Sequence, residues 1–185
     1  MKSSIFTALF FLFSILSVQA SELKTVGSLD IQRYQGLWYE IAKFPNSFQK
    51  NCDGATAEYR LRADAKVQVI NRCFKTKDGV PTGAVSSVDG LAWIPNPAAE
   101  PAKLKVSFLP AWLRFLGIGA KYWVIDLDTD YQWVAVSEPG RDYFWILSRT
   151  PVLDVQTLDG ILKRAADQGL DLSRLVYSHH AVSKH

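Results

Sequence analysis

Between residues 36 and 150 the chain alternates apolar and polar residues at period two, in short runs broken by turn-forming clusters. The runs are GLWYEIAKF, GATAEYRLR, KVQVINRCF, AVSSVDGLAWI, AKLKVSFL, KYWVIDLD, YQWVAVSE and DYFWILSRT. They are rich in β-branched and aromatic residues, and the pattern predicts eight strands. Asp64-Ala65, Lys77-Asp78-Gly79, Asp128-Thr129-Asp130 and Pro139-Gly140 supply turn chemistry between them. Such short joints imply antiparallel neighbours, a meander. After Pro151 the period changes. Asp154 can cap a helix over VQTLDGILKRAADQG, with Val155, Leu158, Leu162 and Ala165 on one face and Gly169 as the stop. LSRLVYS reads as a short last strand, and HHAVSKH as a frayed tail.

Eight sequential antiparallel strands leave two open edges, and closure removes both. The expected fold is therefore all-β: an eight-stranded antiparallel up-and-down β-barrel with one C-terminal α-helix packed outside. A two-sheet sandwich would require longer crossings than these joints allow. No repeat or linker interrupts residues 21–185, which read as one domain. A barrel of eight strands is wide enough for its own side chains or for one small ligand.

The first twenty residues stand apart from this pattern. Lys2, the apolar run IFTALFFLFSIL and the small residues around Ala20 have the form of a signal peptide at 1–20. The expectation is an exported protein, periplasmic or secreted, and not lipid-anchored, since no cysteine stands at the cleavage point. The formal net charge of +3 is small and dispersed, which argues against a nucleic-acid partner. Cys52 and Cys73 suit a disulfide in that compartment. A two-residue loop at Asp64-Ala65 would set Cys73 opposite Thr56, so Cys52 has to fold back to reach it; a reactive thiol is the alternative. Six tryptophans in so small a domain imply a large core, an apolar cavity, or both.

Three stretches carry a family resemblance. GLWYEIAKFP resembles the first signature of the lipocalin family, VIDLDTDYQWVAV the second and RDYFWILSRTP the third. They stand in family order and cover nearly the whole chain after the leader, closest to the bacterial lipocalin and apolipoprotein D branch. The resemblance implies that Trp38 packs across the closed end of the barrel with Arg149 over its ring. It implies further that Gly36 allows close backbone passage there and that DIQRYQ forms a plugging turn. These three residues would be structural. The same resemblance puts Ile41, Tyr59, Asn71, Trp145 and Leu147 on the cavity wall, with Asn71 and Tyr59 orienting a head group. The implied function is to bind and carry a small hydrophobic or amphiphilic molecule, a fatty acid or lysophospholipid, near a membrane.

The loop at 109–122 is unusually apolar for a rim. Trp112, Leu113, Phe115 and Leu116 are read as a membrane contact with Arg114 meeting phosphate, against the alternatives of a lid or a homodimer contact. No catalytic set stands out. His179, His180 and His185 sit in the tail without ligand spacing, and neither metal nor cofactor is expected. Glu40 and Glu58 read as outward-facing surface charge. The rivals to a carrier are a lipid- or isoprenoid-modifying enzyme using a cysteine thiol, and a partner-binding protein whose barrel is filled.

Overall fold

The computed structural model describes residues 22–77 and 79–180. The candidate signal peptide at 1–20 and His185 lie outside them. A short helix, α1 (Ile31–Tyr34), precedes eight strands: β1 (Gly36–Lys43), β2 (Cys52–Leu61), β3 (Val67–Lys77), β4 (Val80–Trp93), β5 (Lys103–Ser107), β6 (Ala120–Leu127), β7 (Trp133–Ser137) and β8 (Phe144–Ser148). Each pairs antiparallel with the next, and β1 pairs with both β8 and β2, so the sheet closes. A helix, α2 (Val155–Asp167), packs outside, and a two-residue strand, β9 (Val176–Tyr177), adds to β1.

Alternation divides the apolar residues into two layers. Trp38, Tyr59, Val69, Leu104, Val124, Val134 and Leu147 belong to the inner cluster. Ala42, Phe44, Ala135, Phe144 and Ile146 belong to an outer one, where they meet Ile161 and Ala165 of α2. Asp154 caps that helix, accepting from the Thr157 amide at 2.9 Å. Leu158, Leu162 and Ala165 face the barrel as expected, and the stripe differs only at Val155 and Ile161. Ile161 is fully buried at its centre, whereas Val155, at the first turn, is 72% exposed.

Two bulges reset the alternation where the sequence shows no break. In β1 the pairing with β8 shifts between Glu40 and Ala42. Ile41 and Ala42 consequently fall in the outer layer, and Lys43, opposite the inward Trp145, faces in. Glu40 is thus no surface charge: it is 3% exposed and ion-paired to Lys43 at 2.7 Å. Glu58 does face out, bonded to Arg60 and Arg72. A second bulge in β6, between Val124 and Asp126, sends Ile125 outward under α2 and leaves Leu127 opposite Val134.

The β2–β3 turn is one residue longer than expected. The Arg62 amide donates to Lys66 O, and Ala65 takes the left-handed conformation, φ 58°. Arg72 rather than Cys73 therefore pairs with Thr56. A further register shift between Asp53 and Thr56, with Gly54 at φ 56°, brings Cys52 back to Cys73, and the two form a disulfide with Cα atoms 5.5 Å apart. The C-terminal segment is also more engaged than a frayed tail. The Ser178 amide donates to Ile41 O and the His179 amide to Asp53 Oδ1, so residues 176–180 reach from β1 to β2.

Candidate binding cavity

The floor is assembled from α1 and the first turn of β1. Asp30 caps α1 by accepting from the Gln32 and Arg33 amides. That places the fully buried Tyr34 beneath the barrel, where its carbonyl accepts the Trp38 indole N–H at 2.8 Å. Arg149 Cζ stands 3.8 Å from the centre of the Trp38 ring. Its three nitrogens donate to Tyr131 O, Leu37 O and Arg33 O. Gly36 has φ 95°, and a Cβ there would come within 3.3 Å of Arg149 Nη1, so glycine is required both by conformation and by proximity.

Above Trp38 three phenols meet. Tyr122 OH lies 2.7 Å from Tyr34 OH and 2.9 Å from Tyr59 OH. Burial is the main cause that raises all three pKa values; Tyr59 is pushed up to about 12 and the other two well above their ordinary value. The hydroxyls stay neutral and act as hydrogen-bond partners, not as bases.

The wall follows from the strand register. Tyr59, Asn71, Trp145 and Leu147 all face in. Ile41 does not; it was expected on the wall, and the β1 bulge turns it toward the outer layer. Asn71 stands opposite the inward Ala57, and its Oδ1 is buried with no hydrogen-bond partner among the described residues. Higher on the wall, Glu40 accepts from Lys43 Nζ, Gln49 Nε2 and Ser178 Oγ. Gln49 Oε1 in turn accepts the Trp145 indole N–H at 3.0 Å. The buried pair is thereby hydrogen-bonded on several sides, as an ion pair in a dry setting must be.

Toward the mouth the interior opens. Val88, paired with Asn71, and Phe108, on the phase of Leu104 and Val106, face inward yet are 46% and 42% exposed. Gly90 makes room for the Phe108 ring, because a Cβ there would lie 2.6 Å from it. Strand β4 pairs with β3 over 80–92 but with β5 only over 91–93, which leaves the upper wall open on that side.

The loop after β5 is a 3₁₀ turn (Ala111–Leu116) at this mouth. Trp112 is 72% and Phe115 80% exposed, and Leu116 and Ile118 are exposed as well, whereas Leu113 is half-buried. Arg114 was expected to be free for phosphate. Instead it bonds Leu109 O, Asp89 O and Asp89 Oδ1, clamping the loop to β4. Reading the sequence missed Tyr34, Tyr122, Glu40, Lys43 and Phe108 as interior groups. Of these, Tyr122, on the phase of Val124, and Phe108, on the phase of Leu104 and Val106, carried a usable signal.

A family model described as a lipocalin-like domain matches residues 29–180. Temperature-induced lipocalin-1 of Arabidopsis thaliana is 36% identical over 159 residues, 85% of this chain and 82% of that protein. Outer membrane lipoprotein Blc of Escherichia coli K12 is 37% identical over 152 residues, 82% of this chain and 80% of that protein. Among solved structures, insecticyanin from Manduca sexta superposes with a TM-score of 0.66 at 20% identity, covering 88% of this chain and 87% of its own, a likeness of fold.

Proposed function

The chain belongs to the lipocalin family, and from that membership we propose that it carries an amphiphile, a fatty acid or lysophospholipid, in its barrel and exchanges it at a membrane. One observation supports this most: inward-facing Val88 and Phe108 are left uncovered above a sealed floor at Trp38. An apolar wall with a few unmatched polar atoms is what holds and orients such a ligand. Tyr59, Asn71, Trp145 and Leu147 are the wall residues assigned to contact it. The exposed Trp112, Phe115 and Leu116 at the mouth would rest on lipid. Residues 1–20 are read as the export signal, so that the barrel works in the periplasm or outside the cell. An intact mass beginning at Ser21 supports the unanchored form; an acylated N-terminus, as the name of the Blc relative implies for that protein, rejects it.

Binding rather than catalysis is the reading because the thiol an enzyme would have used is absent: Cys52 and Cys73 form the disulfide. The test is a titration of delipidated protein with acyl chains of increasing length. Each buried methylene contributes about 0.8 kcal/mol, so affinity rises with length and levels off when the chain reaches the floor. A flat series, together with no lipid in organic extracts, would establish a filled barrel instead.

A further inference from the structure

Strands β5 and β6 carry a like-charge pair on their outer face. Lys105 and Lys121 stand directly opposite each other in the ladder. Both point out of the barrel, since their neighbours Leu104, Val106 and Tyr122 pack with the inner cluster. Like charges so opposed destabilise a sheet unless something neutralises them. Lys103, on the same face, is ion-paired to Glu100 and Glu22, whereas Lys105 and Lys121 have no such partner among the described residues. Lys105 is two residues from the end of β5, and Lys121 is the second residue of β6. The pair therefore lies about 7 Å beneath the base of the mouth loop that bears the exposed Trp112 and Phe115. Arg114, the cation within that loop, is committed to Leu109 O, Asp89 O and Asp89 Oδ1.

From this arrangement we propose that the mouth loop and the Lys105–Lys121 pair form one docking surface for a bilayer that contains anionic lipid. Trp112 and Phe115 enter the acyl boundary, which an interfacial apolar element reaches to a depth of about 5–10 Å. The two ammonium groups then stand at the level of the lipid phosphates, with their stems lying along the protein surface. An anionic headgroup supplies the counter-charge that the pair lacks within the protein. A zwitterionic headgroup supplies it less well, because it brings its own cation to the same place. The formal net charge of the whole chain is only +3, so a preference for anionic lipid comes from this face and not from the molecule as a whole. This inference rests on the membrane-contact reading and narrows it to a lipid class.

The test is co-sedimentation of residues 21–185, which hold the closed barrel without the apolar leader, with two kinds of vesicle at low salt. One is phosphatidylcholine alone, the other phosphatidylcholine mixed with phosphatidylglycerol. Each lysine near an anionic surface is worth about fivefold in partition, so the mixed vesicles should bind roughly 25-fold more tightly. Added salt should shrink the difference. In Lys105→Gln with Lys121→Gln the difference should largely disappear, while partition onto phosphatidylcholine stays unchanged. Lys66→Gln, the loss of an exposed charge in the β2–β3 turn at the floor end, should leave the difference intact. The wild-type comparison requires no variant to fold. Equal, measurable partition onto both vesicles would overturn the docking surface and leave loop contact with lipid standing. So would an anionic preference that survives the two lysine changes, or one that falls as far in Lys66→Gln. No partition onto either vesicle would overturn both.

Discussion

Arg149 and Trp38 are joined face to face, with Cζ 3.8 Å from the ring centre, and the same guanidinium ties β8 to the carbonyls of Arg33 and Leu37. The plug, the first strand and the last barrel strand are thus held by one side chain. Its geometry depends on a planar fork that donates in three directions while its face covers the indole. A lysine ammonium keeps the charge but reaches one or two carbonyls and loses the stacked face.

Arg149→Lys is therefore expected to destabilise the fold by about 2–3 kcal/mol, from lost charged hydrogen bonds and stacking. Urea denaturation should show a lower midpoint with an unchanged slope. A midpoint equal to wild type would mean that the contact does not close the barrel end.

Glu40 and Lys43 form a second pair, inside the wall, with side chains 4% and 8% exposed. Removing one partner leaves a buried charge, at a cost of about 3–5 kcal/mol. Glu40→Leu should unfold far more readily than wild type, and so should Lys43→Met. The double variant Glu40→Leu with Lys43→Met should recover most of the loss. Additive single-variant effects in the double-mutant cycle would argue that the two charges are not coupled.

Much of this fold was legible in the chain. Alternation, turn residues and the three motif stretches predicted eight strands, their order, their closure and the outside helix. The inner wall was read less well, and the reason is local. One bulge after Glu40 inserts a residue into the phase, so Ile41 goes out and Lys43 comes in, although the letters WYEIAK show no break. The Cys52–Cys73 disulfide was read correctly, but the hairpin register beneath it was off by one step because Ala65, not glycine, takes the left-handed position in the turn. The phenol trio draws Tyr34 from the plug and Tyr59 and Tyr122 from separate strands. Period-two reading orders residues within a strand but does not set the height at which distant ones meet.

Arg114 holds the apolar loop in place through Asp89. Gln68 and then Arg114 bond the Asp89 carboxyl and keep it below the usual carboxylate range. With a folded pKa below the unfolded one, this contribution is fully present above about pH 4 and is lost as pH falls through the folded value. At neutral pH the loop should therefore stay clamped with Trp112 and Phe115 outward. Trp112→Ser should lower partition onto phospholipid vesicles several-fold, with stability within about 0.5 kcal/mol of wild type, as for other surface changes. Unchanged vesicle partition would remove the loop from membrane contact.

Burial raises the Tyr34, Tyr59 and Tyr122 hydroxyls above their ordinary pKa, Tyr59 to about 12. In the unfolded chain all three ionise near pH 10. The unfolded state therefore loses protons first as pH rises, and the linkage has one sign. Stability from this trio is complete below about pH 10 and falls steadily above it, toward the folded value near 12 for Tyr59. Spectrophotometric titration of the folded protein should show a late alkaline class of phenols, released together when the barrel unfolds. Tyr59→Phe should remove one member of that class and make the alkaline loss of stability shallower. If the class keeps its full amplitude in Tyr59→Phe, the Tyr59 hydroxyl is not buried as described.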